Sequence, residues 1–201
     1  MCGITGFINL NGKPADYSNL KAMTDAIAHR GPNGEGHWIQ NNVAIGHRRL
    51  SIIDLSSKGH QPMLSFDKRY VLSYNGEIYN YKELRLELES LGFRFWSNTD
   101  SEVVLYALVY WGEKALLRFN GMFAIAFWDC QKKKLMLARD RYGIKPLYIG
   151  HSEMTLAFAS EQKAILTLPN FPRELNVEAL YEYFTFQNIF TNQTLQKKIT
   201  I

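Results

Sequence analysis

The chain has 201 residues, 46% of them hydrophobic, an ordinary globular composition with enough apolar side chains for one sizeable core. That excludes a disulfide miniprotein and a disordered tail. The formal charge of +4 is spread along the chain, and its one run of three, Lys132-Lys133-Lys134, sits between two apolar stretches where a solvated turn is expected, so no nucleic-acid partner is expected.

Gly3 to Asn9 alternates small and apolar residues and predicts a strand that starts almost at the first residue. Asn19 to Arg30 carries Leu20, Met23, Ala26 and Ile27 at helical spacing and meets a stop at Gly31-Pro32. Gly36 to Gln40 and Val43 to Leu50 flank Asn41-Asn42, a two-residue hairpin turn. Tyr70 to Tyr74 predicts a strand running into Asn75-Gly76, and Asn80 to Leu91 a helix with Leu84, Leu88 and Leu91 on one face. Thr99 and Glu102 form a capping box ahead of the apolar helix Val103 to Trp111. Two strand pairs follow, Phe123 to Trp128 with Leu135 to Arg139 and Leu147 to Gly150 with Leu156 to Ser160. From about Pro169 one amphipathic helix, Val177 to Phe186, precedes a polar end over 191–201 that reads as a continuation outside the core. Short connections between strands favour antiparallel sheets.

The nine residues Val103 to Trp111 are the longest apolar run, under half of the ~20 that a membrane-spanning helix needs, so no membrane partner is expected. Met1-Cys2-Gly3-Ile4-Thr5-Gly6 has neither a basic region nor an apolar core, and no secretory signal is visible. Two cysteines 128 residues apart suit a reducing, cytoplasmic location, and the five histidines lack metal-ligand spacing.

Cys2 is the most informative residue. Trimming of Met1 would leave a thiol and a free α-amine on one residue, and an amine with a pKa of about 8 can act as base for its own thiol. The alternative is an ordinary residue at a frayed terminus. A cysteine attacking an amide needs an oxyanion hole, which Asn75 and Gly76 can supply through a side-chain amide and a backbone N–H, unless they form an Asn-Gly turn. Arg49 can grip a carboxylate or sit solvated on an edge strand. Asp100 can bind a ligand or merely favour a helix dipole.

Five motifs in order are more specific than any of these. They are Met1-Cys2-Gly3-Ile4-Thr5-Gly6, His29-Arg30-Gly31-Pro32, Arg49-Leu50-Ser51-Ile52-Ile53-Asp54, Tyr74-Asn75-Gly76-Glu77-Ile78-Tyr79-Asn80, and Arg139-Asp140-Arg141-Tyr142-Gly143-Ile144-Lys145-Pro146-Leu147-Tyr148. With them the chain resembles the glutamine-hydrolysing domain of the asparagine synthetases, class II glutamine amidotransferases of the N-terminal-nucleophile hydrolase superfamily. The resemblance implies an α+β fold, a four-layer αββα sandwich of two antiparallel sheets. It makes Cys2 the nucleophile, Asn75 and Gly76 the oxyanion-hole pair, Arg49 the partner of the glutamine α-carboxylate and Asp100 that of its α-amine. Ile52, Ile53 and Glu77 match positions lining the glutamine pocket.

The implied division is a glutaminase domain over 2–190 and a truncated linker over 191–201, leading to an ATP-dependent synthetase domain absent from this chain. Family members carry a Ser-Gly-Gly-x-Asp-Ser loop on that domain, and no such loop occurs in these residues. No cofactor is therefore expected on this chain; ATP and magnesium would belong to the synthetase domain. The expected reaction is hydrolysis of L-glutamine to glutamate and ammonia through a cysteinyl thioester. The ammonia would pass to a synthetase domain or subunit, where aspartate would become asparagine. The alternatives are an amidotransferase for surface-polysaccharide sugars and a non-catalytic docking module.

Overall fold

A computed structural model describes residues 1–51 and 56–201. Two antiparallel sheets form its centre. The six-stranded sheet contains β1 (Gly3–Asn9), β2 (Gly34–Gln40), β3 (Val43–Arg49), β8 (Tyr148–His151), β9 (Thr155–Ala159) and β10 (Ile199–Thr200), in the order β10-β8-β9-β1-β3-β2. The four-stranded sheet contains β4 (Met63–Leu64), β5 (Tyr70–Ile78), β6 (Gly121–Asp129) and β7 (Lys134–Arg139), in that order. Every pairing between these strands is antiparallel.

Period-two alternation along the strands sorts the apolar residues into three layers of core. On β6, Phe123, Ile125 and Phe127 face helices α2 (Tyr81–Ser90) and α3 (Asp100–Trp111), while Ala124, Ala126 and Trp128 face the other sheet. Ile4, Val43, Ile45 and Phe158 of the larger sheet meet them there. Its outer face, with Phe7, Ala44 and Ala157, packs on helices α1 (Tyr17–Ala26) and α4 (Gln162–Ile165). Three buried interfaces between four layers make this the α+β sandwich that the resemblance implies, helices outside and two sheets within. Among the described residues no helix is long and apolar enough to cross a membrane.

The local differences from expectation have local causes. Asp16 accepts a bond from the Ser18 N–H at 2.7 Å, so α1 starts earlier than residue 19. It stops at Ala26, and a 3₁₀ turn over Ala28–Arg30 follows. That tight turn sets Gly31 directly on the neighbouring strand, where a Cβ would lie 2.3 Å from the Arg48 carbonyl carbon. Thr99 caps α3 as expected, but the Glu102 carboxylate reaches beyond the cap to the N–H groups of Trp96 and Ser97, at 2.8 and 2.7 Å. Leu91 is exposed although it shares the spacing of Leu84 and Leu88, because α2 has already ended at Ser90. Residues 191–201 do not stay outside the core. Strand β10 pairs with β8, and Ile199 is buried against the layer that holds α1.

Helix α5 (Val177–Phe186) stands apart. It buries only Ala179 and exposes Val177, Tyr181, Tyr183, Phe184 and Phe186.

Candidate active site

The space between the sheets opens at one end into a cleft of about 290 Å³. Cys2, Arg49, Asn75, Gly76, Glu77 and Asp100, each singled out from sequence, all line it. Ile52 and Ile53, the other two pocket positions, lie outside the described residues.

One wall belongs to the larger sheet. Cys2 stands immediately before β1, a strand held between β3 and β9, so the chain start is not frayed. The Cys2 sulfur accepts from the Leu50 N–H at 3.3 Å, and the thiol can donate to the Leu50 carbonyl at 3.6 Å. Arg30 Nε donates to the Cys2 carbonyl at 3.0 Å, while Arg30 Nη1 bonds Glu161 at 3.0 Å. Glu161 also pairs with His29 and Lys163. Partial burial works against its charge, but these three partners outweigh that and bring its carboxyl down to about 2. The His29-Arg30-Gly31 motif thus clamps the backbone that carries Cys2. Arg49 ends β3, donates from Nη1 to the Ser56 carbonyl at 2.8 Å and packs its guanidinium on Gly59, where a Cβ would come within 2.4 Å of Nη2. It is part of the cleft wall, not a solvated edge residue.

Burial pushes the Cys2 thiol above its ordinary pKa; the Leu50 N–H, the terminal positive charge and Arg49 offset this only in part. At neutral pH the sulfur is therefore a thiol, and any attack by it would need a base.

The opposite wall belongs to the smaller sheet. Asn75 and Gly76 do not turn: β5 runs through both, pairing them with Ala124 and Phe123 of β6. The turn reading of Asn-Gly fails because the strand continues to Ile78, and nine residues of ladder to β6 outweigh a two-residue preference. A Cβ at Gly76 would lie 2.3 Å from the Met122 carbonyl oxygen, so this position has no room for a side chain. Asn75 is buried, and its Nδ2 has no hydrogen-bond partner. An unmet buried donor costs about 1–3 kcal/mol, a cost expected where a ligand is to accept the bond.

Asp100 opens α3, almost fully buried. Its Oδ2 accepts from the Tyr74 hydroxyl at 2.8 Å and from the Ile78 N–H at 3.1 Å. Burial raises its carboxyl above the usual range despite these bonds. A buried carboxylate beside a cleft is a ready partner for a substrate ammonium. Glu77 is exposed at the rim.

Sequence reasoning missed Gln61 and Lys145. Both are buried and line the cleft, with Lys145 Nζ 3.2 Å from the Met1 sulfur. Lys145 stood within a quoted motif without a role, and Gln61 stood in a polar loop with no local signal. Behind the cleft, His47 is fully buried, with Nδ1 at 3.2 Å from Ser73 Oγ. Burial, reinforced by His60 and Arg49, pulls its pKa down to about 3, so it is neutral.

The chain matches the family described as "Glutamine amidotransferase domain" over residues 1–201. It is 40% identical to asparagine synthetase (glutamine-hydrolyzing) 1 of Bacillus subtilis, over 99% of this chain and 32% of that protein. With asparagine synthetase (glutamine-hydrolyzing) 2 of the same organism it shares 42% identity, over 88% of this chain and 24% of that protein. A putative asparagine synthetase (glutamine-hydrolyzing) of Mycobacterium tuberculosis is 38% identical over 99% of this chain and 33% of its own length. The chain thus spans a third or less of these relatives. Among solved structures, a glutamine phosphoribosylpyrophosphate amidotransferase from B. subtilis aligns with a TM-score of 0.71 over 83% of this chain and 43% of that one. Sequence identity is 21% there, so that likeness bears on the fold alone.

Proposed function

This chain belongs to the glutamine amidotransferase domain family, and from that premise we propose that it hydrolyses L-glutamine to glutamate and ammonia through a γ-glutamyl thioester on Cys2. Removal of Met1 frees the Cys2 amine, which takes the thiol proton. The thiolate adds to the side-chain amide carbon, and the resulting oxyanion accepts from Asn75 Nδ2 and the Gly76 N–H. The protonated amine returns its proton to the departing nitrogen, the C–N bond breaks, and ammonia leaves. Water then adds to the thioester with the amine as base, the C–S bond breaks as the protonated amine returns that proton to the sulfur, and glutamate leaves. Throughout, Arg49 holds the substrate α-carboxylate and Asp100 its α-ammonium. Glu77 stands at the rim of the pocket.

The observation that carries this reading is the unpartnered, buried Asn75 Nδ2 in the same cleft as a thiol that needs a base. The test is ammonia release from glutamine by the chain with Met1 removed. Activity that requires Cys2 and no ATP supports the reading, and a correctly trimmed, folded chain without activity rejects it.

Ammonia would then pass to an ATP-activated acceptor, aspartate in the asparagine synthetase reading, on a synthetase region outside this chain. ATP and magnesium belong to that region. The exposed aromatic face of α5, with Tyr181, Phe184 and Phe186, is the surface best suited to meet it. A reducing compartment such as the cytoplasm keeps the Cys2 thiol available.

A further inference from the structure

We propose that Gln61 is a positioning residue for this site. Its side-chain carboxamide replaces a missing stretch of strand and fixes Asn75 and Asp100 relative to each other. The proposal rests on the glutaminase reading.

Strand β4 pairs with β5 at Met63↔Leu72 and Leu64↔Val71. Carried back in the same register, the ladder brings position 61 opposite Tyr74. The ladder itself ends at Met63, two residues short of that position. At position 61 the side chain does what the backbone would have done. Gln61 Oε1 accepts from the Tyr74 N–H at 2.7 Å, and Gln61 Nε2 donates to the Tyr74 carbonyl at 3.2 Å. Both backbone groups of the residue before Asn75 are thereby held by one buried carboxamide.

The same Nε2 also donates to Ser101 Oγ at 3.3 Å. Ser101 follows Asp100, and Asp100 in turn accepts from the Tyr74 hydroxyl. The bonds close into a ring: Gln61, the Tyr74 backbone, the Tyr74 side chain, Asp100, Ser101 and Gln61 again. Strand β5 and the start of α3 belong to different layers, and this ring sets their spacing at the level of the cleft. A donor for a developing oxyanion and a carboxylate for the substrate ammonium act together only if that spacing is held, since small misplacements cost large factors in rate.

The experiment compares the trimmed full chain with Gln61→Met, which keeps the length and removes the amide, and with Leu168→Ala. Leu168 is buried beside α1 and α4, away from the cleft, and its variant controls for lost stability. Steady-state glutamine hydrolysis is measured well below the melting temperature, together with amide hydrogen exchange at Tyr74. Gln61→Met is expected to speed that exchange, lower kcat and raise KM, with kcat/KM down on the order of tenfold to a hundredfold. Leu168→Ala should leave both constants near wild type. Unchanged Tyr74 exchange in Gln61→Met overturns the proposal, and so does faster exchange with kinetic constants matching the control. Should Gln61→Met fail to fold, Gln61→Asn retains the carboxamide one methylene short. An intermediate loss there supports the proposal, and wild-type kinetics overturns it. An inactive wild-type chain would instead overturn the glutaminase reading, and the exchange data would still show whether Gln61 holds the strand.

Discussion

The two walls of the cleft use their strands in opposite ways. In the six-stranded sheet, Cys2 precedes the first residue of β1 and Arg49 is the last of β3. In the four-stranded sheet, Asn75 and Gly76 lie inside β5, and Asp100 is locked by bonds to Tyr74 and Ile78. In the proposed mechanism the difference follows from the chemistry asked of each side. A nucleophile that borrows its own α-amine must be at a chain end, and a long guanidinium needs room to reach a substrate. Donors for an oxyanion must already be in place when charge develops, which the middle of a paired strand provides.

Removing the terminal thiol tests this contrast most severely. Cys2→Ala should abolish glutamine hydrolysis, and Cys2→Ser should be nearly as inactive because a hydroxyl is far less acidic than a thiol. Neither should lower the melting temperature appreciably, as Cys2 is only part-buried. Diazo-oxonorleucine should label Cys2 and spare Cys130; more than trace hydrolysis by Cys2→Ala would remove Cys2 from the role of nucleophile.

On the opposite wall, Asn75→Ala should lower kcat on the order of a hundredfold and leave KM nearly unchanged, because its donor matters chiefly in the tetrahedral intermediate. A raised KM with normal kcat would make Asn75 a substrate-binding group and erase the distinction between the walls.

Arg49→Ala and Asp100→Ala should act alike although they come from different walls. Each strips a charge-assisted contact present in ground and transition states, so KM should rise roughly tenfold or more while kcat falls less. Loss of kcat alone from Arg49→Ala would place it on the reacting atoms.

The last expected effect is on stability and lies behind the walls, at His47. Folded, it titrates near 3; unfolded, it returns to its ordinary 6.5. The unfolded state therefore binds the extra proton, so the stability His47 contributes is complete above pH 6.5 and drains away as pH falls toward 3, by up to about 1.4 kcal/mol per pH unit. Urea titrations at pH 7.5 and pH 5 should show that loss in wild type and less of it in His47→Gln. Equal losses would assign the acid sensitivity to other groups.

Much of the cleft lining was legible because residues singled out from sequence are of types rare at such positions: a cysteine after a methionine ahead of a strand, an Asn-Gly pair at a strand, an arginine near the end of one. Asp100 was readable through the cap that precedes it. What stayed hidden depends on register. Nothing local distinguishes Gln61 from any loop glutamine; only the premature end of β4 makes its side chain a substitute for backbone. The extent of β5 was misjudged for a related reason, since Asn-Gly is turn punctuation unless a partner strand as long as β6 overrides it. The return of residues 191–201 to the sheet rests on Ile199, one apolar residue in a polar stretch. The four layers were legible only through the family resemblance, since Phe123 to Trp128 of β6 are all apolar and offer no alternation to read.

Strand β1 also has a place in time. It leaves the ribosome before the other strands described, yet one of its two neighbours is β9, joined through Thr5↔Ala159, and Ile4 exchanges bonds with Ser160, whose hydroxyl accepts from the Ile4 N–H at 3.0 Å and whose own N–H donates to the Ile4 carbonyl. Those partners are translated some 150 residues later, which at roughly 5–20 residues per second leaves an interval of many seconds. During it the first residues stay open to the aminopeptidase that would uncover Cys2. Of these strands β1 waits longest for its second neighbour, an interval in which the amine can be freed before the sheet closes around it.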